Sequence, residues 1–171
     1  MRLITPTLDY REAFHALVLS FRENQEADLF QKYRRGGDDF ENYIRDLQNE
    51  SKGINLKPDH VTQSHFWLED TGRIVGVSRV RHFLNDLLLQ EGGHIGYDIG
   101  ALSRGQGFGT LILELTLVEA KKLGLKRALL TCDEDNLASK RVIEKNGGIF
   151  ESKGTARLSK KQVLRYWINI E

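Results

Sequence analysis

Between Ile95 and Lys122 the chain runs through a strand, a glycine turn and a long helix, and no other stretch limits the fold as tightly. Ile95 to Ile99 has strand character and ends in small residues. From Phe108 onward, apolar residues recur at Leu111, Ile112, Leu115 and Val118, the three-four spacing of a helix with one buried stripe. Between the two lies Arg104-Gly105-Gln106-Gly107-Phe108-Gly109. Alternating glycines leave a run of backbone N–H groups uncovered at the positive end of a helix. Such a nest binds an anion, usually phosphate, and Arg104 adds a fixed charge beside it. An ordinary strand-to-helix turn that uses glycine for its dihedrals is the alternative.

The usual phosphate loops do not fit. A dinucleotide fingerprint wants glycine at the first, third and sixth positions. Counted from Gly105 the sixth residue is Thr110, and counted from Gly107 it is Ile112. No Gly-Lys-Ser/Thr follows the turn, so a P-loop fails as well. Asp133 and Glu134 stand about where a ribose-binding acid would. Only one clear strand–helix–strand unit is present, however, and it lies mid-chain, which disfavours a nucleotide-binding oxidoreductase.

Arg104-x-x-Gly107-x-Gly109 after a strand resembles the acyl-CoA signature of the GNAT superfamily of N-acyltransferases, in which Gln or Arg is followed at the same spacing by Gly and then Gly or Ala. Downstream, Asn136, Ser139 and the run Gly147-Gly148-Ile149-Phe150 are similar to the helix and Gly-aromatic strand that come next in that family. The order and separation of the two motifs agree, and the resemblance covers about residues 66–155 well. It implies an acetyl-CoA-dependent N-acetyltransferase acting on a primary amine, with coenzyme A as co-substrate and no metal. A CoA-binding module or sensor that has lost catalysis is the competing reading. Dimerisation is common among relatives, so the resemblance also admits a homodimer through the C-terminal strands.

At 171 residues the chain suits one domain with a proper core. Twenty-five basic against twenty-four acidic side chains give no argument for nucleic acid or an anionic membrane surface. No apolar run approaches a membrane span, and Met1 to Pro6 lacks the apolar core of a signal peptide. The single cysteine, Cys132, reads as a small apolar residue of a buried strand, and the expected location is the cytoplasm.

In chain order, Leu3-Ile4 is a short strand, and Asp9 is the expected cap of a helix burying Phe14, Leu17, Val18 and Phe21. Residues 25–47 hold a second helix, with Tyr33 to Asp39 read as a loop and Asp39 as a cap for Phe40, Tyr43, Ile44 and Leu47. Residues 49–63 connect to a hairpin of strands 65–69 and 74–80 around Asp70 to Arg73. Residues 84–93 read as a loop, followed by strand 94–99, helix 107–122, strand 127–132, helix 137–145, and strands 149–155 and 162–170. Arg157 to Lys161 is a basic turn. The fold class is α+β: one GNAT-like domain over residues 1–171, with a mixed, mostly antiparallel β-sheet, a central splayed parallel strand pair (94–99 and 127–132), and helices on both faces.

The resemblance implies that the pantetheine arm enters the splay, pairing with the backbone of Ile99 and Ala101, and that the pyrophosphate rests on the amides of Gly105, Gln106, Gly107, Phe108, Gly109 and Thr110 beside Arg104. Asn136 reaches the same ligand or simply caps its helix, and Ser139 contacts the arm. Many relatives carry, four residues after Ser139, a tyrosine that protonates the leaving thiolate. Here that residue is Ile143, so another group serves as acid or the thiolate leaves unassisted. For the general base His94 comes first, with a near-neutral ordinary pKa and a water relay; a structural strand histidine is the alternative. Asp98 is a further candidate, either as base or as a carboxylate that binds the amine's charge, with Glu91 and Glu134 behind it. Tyr166 offers the missing hydroxyl unless it is a half-buried strand tyrosine. The acceptor is expected against residues 25–63 and 84–93, which carry no readable signature.

Overall fold

A computed structural model describes residues 1–157 and 160–170, so part of the turn expected over 157–161 lies outside the described residues. Strands β2 (Gln63–Asp70) and β3 (Arg73–Arg81) form the hairpin, with Asp70 opposite Arg73. Thr71 and Gly72 both adopt left-handed backbone (φ 49° and 84°), the twist that a two-residue hairpin turn requires. Strand β1 (Arg2–Ile4) pairs antiparallel on the outer side of β2, and β4 (Ile95–Ile99) pairs antiparallel on β3. Glu69 fastens the first edge by accepting from the Gly72 amide at 2.7 Å and from Arg2 Nε at 3.1 Å.

The expected continuous sheet divides after β4. Strands β5 (Arg127–Asp133), β6 (Ile149–Thr155) and β7 (Gln162–Asn169) make a second antiparallel sheet in the order β5-β7-β6. No ladder joins β4 to β5. Their junction is one backbone bond, His94 N–H to the Leu129 carbonyl at 2.7 Å. It is flanked by two side-chain bonds, Leu129 N–H to His94 Nδ1 and Gly92 N–H to Thr131 Oγ1, both 2.9 Å. Gly93 is left-handed (φ 60°), and a Cβ there would lie 2.3 Å from the Leu129 carbonyl oxygen, so only glycine lets the two backbones touch.

Helices cover both faces of the first sheet. On one lie α1 (Arg11–Glu23), α2 (Ala27–Asp38) and α3 (Phe40–Ser51), packing Phe14, Phe21, Tyr33 and Phe40 over Trp67 and Val77. Phe14 stacks on Trp67 with ring centroids 4.6 Å apart. Against the other face lies α5 (Phe108–Lys122), where Ile112 meets Leu68 and Val75, and Thr116 bonds Ser78 at 2.7 Å. Helix α6 (Leu137–Lys145) follows β5, with Ile143 buried in the core shared with Leu130, Tyr166 and Ile168.

Several local expectations need correction. Tyr33 to Asp38 is helical, because Gly36 sits where α2 crosses Phe14 and Tyr43 rather than at a break. Residues 84–93 contain a short helix, α4 (Asp86–Gln90), capped by Asn85 Oδ1 on the Leu88 amide at 2.9 Å. Asp9 lies inside a 3-10 turn capped by Thr7, and the Asp39 carboxylate accepts from Asn42 Nδ2 rather than from a backbone amide.

A methyl group at Gly36 would lie 2.4 Å from Phe14 Cε1, on a ring with no room to move. Overpacking of about 1–3 kcal/mol then outweighs a helix-propensity gain of up to about 1 kcal/mol, and Gly36→Ala is expected to destabilise the protein. At Gly37 the nearest contact for the added methyl is His15 at 3.4 Å, so Gly37→Ala should be neutral or stabilising. Urea unfolding midpoints of the two variants check this opposition.

Candidate functional site

After β4 the chain makes a short 3-10 turn, Ala101–Ser103, and then the glycine nest. Gly105 and Gly107 are left-handed (φ 74° and 84°), with nothing within 4 Å of where a Cβ would sit. The amides of residues 105–109 find no acceptor among the described residues, while those of Thr110 and Leu111 turn back to the Gly107 carbonyl at 3.0 and 3.2 Å. Five free donors therefore gather at the start of α5, where the helix dipole is positive. Gly109 serves a different end: a Cβ there would come within 3.1 Å of Val142 Cγ2, so its bareness lets α5 and α6 approach.

The nest opens on a groove of about 660 Å³ that runs between β4 and α6. Asp98, Ile99, Arg104, Gly105, Gly107, Gly109, Thr110, Asn136 and Ser139 all line it. Ala101, Gln106 and Phe108 do not: Gln106 Nε2 donates to the Leu102 carbonyl at 3.1 Å, and Phe108 packs toward the Ile112 cluster. Arg104 is in place but engaged, with Nε on the Ile99 carbonyl at 3.1 Å and Nη2 on Glu26 Oε2 at 2.9 Å. Asn136 caps α6, its Oδ1 accepting from the Ser139 amide at 3.0 Å, while it still lines the groove. Ser139 Oγ lies 3.0 Å from the Tyr97 hydroxyl, and burial pushes that phenol up to about 12, so it stays protonated.

A second cavity, about 450 Å³, lies under α2 and α3 against β2 and β3. Asp98 is its link to the groove: Oδ2 accepts from Lys32 Nζ and from the Tyr33 hydroxyl, both at 2.5 Å, with Arg79 Nη1 at 3.9 Å. Burial works against the Asp98 charge, but Lys32, Tyr33 and Arg79 outweigh it and hold the carboxyl below its ordinary range. Deeper in, Glu50 Oε2 takes His65 Nε2 at 2.8 Å and Gln63 Nε2 at 2.7 Å. Burial opposes that charge too, yet these two bonds leave the Glu50 carboxyl lowered. Leu87 and Leu88 of α4 complete the wall, so the segments expected to face an acceptor do meet in one cavity.

Two candidate residues fall elsewhere. The His94 ring lies with Leu84, Arg127 and Trp167, away from groove and cavity, and Nδ1 is spent on the Leu129 amide. Tyr166 is buried in the second sheet's core, its hydroxyl donating to Glu144 Oε1 at 3.4 Å. Glu134 pairs with Lys153 at 2.8 Å, and burial pushes the Cys132 thiol up to about 11. Glu26, Lys32, Tyr33 and Tyr97 were not among the sequence candidates. Of these only Tyr97 left a signal, being two residues from Ile95 and two from Ile99 on an alternating strand.

Fold and groove together are those of an N-acyltransferase domain. The acetyltransferase (GNAT) domain family matches residues 1–149, and the chain belongs to that family. No curated protein sequence matches the chain significantly. Among solved structures, RimL, a ribosomal L7/L12 α-N-protein acetyltransferase in complex with coenzyme A, is 18% identical with a TM-score of 0.72, over 98% of this chain and 93% of its own. Mycobacterium smegmatis RimJ, in complex with a CoA disulfide, is 18% identical with a TM-score of 0.74, over 98% of this chain and 80% of that one. The microcin C7 self-immunity acetyltransferase MccE, in complex with acetyl-CoA and AMP, is 17% identical with a TM-score of 0.67, over 98% and 91%. At these identities the likeness establishes the shared fold. No helix among the described residues is long and apolar enough to cross a membrane.

Burial, with Arg81 and Arg127 nearby, lowers His94 from 6.5 to about 4 in the folded chain. Between those values the unfolded chain binds more protons, so this stabilisation is full above about pH 6.5 and is lost as the pH falls toward 4. From pH 7 to 5 the folded chain should therefore lose stability, read as a lower urea midpoint. His94→Asn, which keeps an acceptor without a titrating ring, should lose less stability between urea titrations at the two pH values.

Proposed function

We propose that this GNAT-family chain moves an acetyl group from acetyl-CoA to a primary amine by direct attack, with both substrates bound and no covalent enzyme intermediate. The observation that carries this reading is the set of five uncovered amides at the start of α5, opening on a groove that Asp98 also lines. These donors suit a diphosphate, and the groove beside the edge strand β4 suits a long, flexible arm. In the transfer one C–N bond forms as the C–S bond of the thioester breaks; the protonated amine sheds one proton to water before attack and a second as the amide forms, and the second balances the proton taken up by sulfur.

The chain's own residues supply position and protons. Asp98, held ionised, lines the groove, is bonded to Lys32 and Tyr33 of the second cavity, and attracts the positive amine without needing to act as a strong base. The Tyr97–Ser139 hydroxyl pair replaces the tyrosine missing at Ile143: the Ser139 hydroxyl gives its proton to sulfur, Tyr97 refills it, and the proton shed by the amine returns through water to Tyr97. His94, engaged with Leu129, serves the junction of the sheets in this reading. Buried Ile143 also keeps in view a module that takes up CoA without turnover.

Calorimetry with coenzyme A and a thiol-release assay with acetyl-CoA separate these readings: uptake with amine-dependent thiol release supports the transferase, uptake alone supports the silent module, and no uptake sinks both. Gly107→Val forces a β-branched side chain into left-handed backbone and should weaken CoA binding at least about tenfold, or about 1.4 kcal/mol. Ser139→Ala should lower kcat at least about tenfold while leaving CoA affinity nearly intact. An unchanged kcat would remove Ser139 as the acid.

A further inference from the structure

We propose that the acceptor is a small amine that also carries an acidic group, carboxylate or phosphate, and that Arg79 recognises that group in the cavity beneath α2 and α3. The inference rests on the transferase reading above and names its second substrate by class. At about 450 Å³ the cavity is of small-molecule size.

Its cations are not equally engaged. Lys32 is committed to Asp98, and His65 to Glu50. Arg81 spends Nη1 on the Gly92 and Gly93 carbonyls at 2.9 and 2.8 Å. The Arg79 guanidinium, by contrast, has no hydrogen-bond acceptor among the described residues. Its one ion partner, Asp98, is 3.9 Å away and already takes Lys32 and Tyr33 on the same oxygen. The Arg79 side chain is only 22% exposed, yet no fully buried side-chain nitrogen or oxygen lacks a partner among the described residues, so its free donors reach open space. That space is the cavity, which Arg79 lines.

The guanidinium is also held in place. It lies flat against Gly96, where a Cβ would come within 2.8 Å of Nη2 and 2.9 Å of Cζ. A planar fork of unspent donors, fixed by the backbone beneath it, matches a carboxylate or phosphate bidentately. Positive charge is crowded there in its absence, for burial and then Arg79 pull Arg81 down to about 10. Asp98 lies beside this fork and faces the groove. An amine held at Asp98 with its own acid group at Arg79 satisfies both charges, whereas an acceptor with a neutral tail leaves Arg79 unpaired and pays for its desolvation.

The test is thiol release from acetyl-CoA with matched acceptors: glycine, β-alanine and 4-aminobutanoate against their carboxamides, and 2-aminoethylphosphonate against propylamine. The acidic member of at least one pair should have a kcat/KM about tenfold or more above its neutral partner, and the two series tell carboxylate from phosphate. Arg79→Gln should erase that preference, lowering kcat/KM of the acidic members about tenfold or more beyond any loss shared with their neutral partners, and Arg79→Lys should restore part of it. Equal rates within every pair, or a uniform loss in Arg79→Gln, overturn the inference. If Arg79→Gln does not fold, the wild-type pairs decide alone. Acetyl-CoA uptake with no acidic amine acetylated also overturns it and leaves the CoA reading standing, whereas failure to take up acetyl-CoA strikes that earlier reading.

Discussion

Two antiparallel sheets meet in this protein at one backbone hydrogen bond, from His94 to Leu129, and the groove exists because the pairing stops there. Had β4 continued along β5 as a ladder, its outer edge would have been consumed and the nest would have faced a closed sheet. Three devices hold the junction while ending it. Gly93 lets the backbones touch, the His94 ring accepts the Leu129 amide, and Thr131 accepts the Gly92 amide. Beyond them β4 and β5 share no ladder, and Tyr97 reaches Ser139 of α6 instead. A histidine kept neutral is well suited to such a hinge, since a protonated ring would present a donor to a donor.

The parted strands leave Asp98 as a boundary stone between two spaces of opposite character. On the groove side the chain offers backbone amides and hydroxyls, suited to phosphate and to a thioester arm. On the cavity side it offers Lys32, Arg79 and Arg81 over an aromatic wall that includes Tyr33 and Trp67. Helix α2 touches both, through Glu26 at its cap position to Arg104 and through Lys32 and Tyr33 to Asp98. The N-terminal helices are thus more than a cover for the core.

Most of the frame was legible in the sequence because it is written in local patterns. The hairpin at Thr71-Gly72, the span of α5, and the glycines at 105 and 107 each follow from dihedral or periodic constraints within a few residues, although the buried line of α5 runs through Ile112, Leu113, Thr116 and Ala120 and leaves Val118 of the expected stripe exposed. Gly36 and Gly37 misled for the converse reason. A glycine pair ordinarily breaks a helix, but here the requirement comes from Phe14, far off in sequence, and no local rule carries it. The ordinary pKa of His94 points to a base, whereas the fold gives its Nδ1 to an amide on another strand. Lys32, Glu26 and Arg79 stayed hidden likewise, since their roles depend on contacts between elements that spacing does not report.

Arg104 shows how a motif residue can be in place and yet work differently from its simplest reading. The pattern suggests a free cation waiting for phosphate. The structure has that guanidinium already bound to the Glu26 carboxylate and the Ile99 carbonyl. An anion arriving at the nest therefore meets a neutralised pair, and the pull on it comes mainly from five amides and the dipole of α5. Those donors are not paired with a carboxylate as Arg104 is, for none of them has an acceptor among the described residues. The Arg104–Glu26 pair instead ties the turn to α2, and so keeps the nest and the Asp98 boundary in one rigid relation. In the proposed reading the glycines of the motif govern affinity for coenzyme A, and the arginine ties the turn to α2 beside the second cavity.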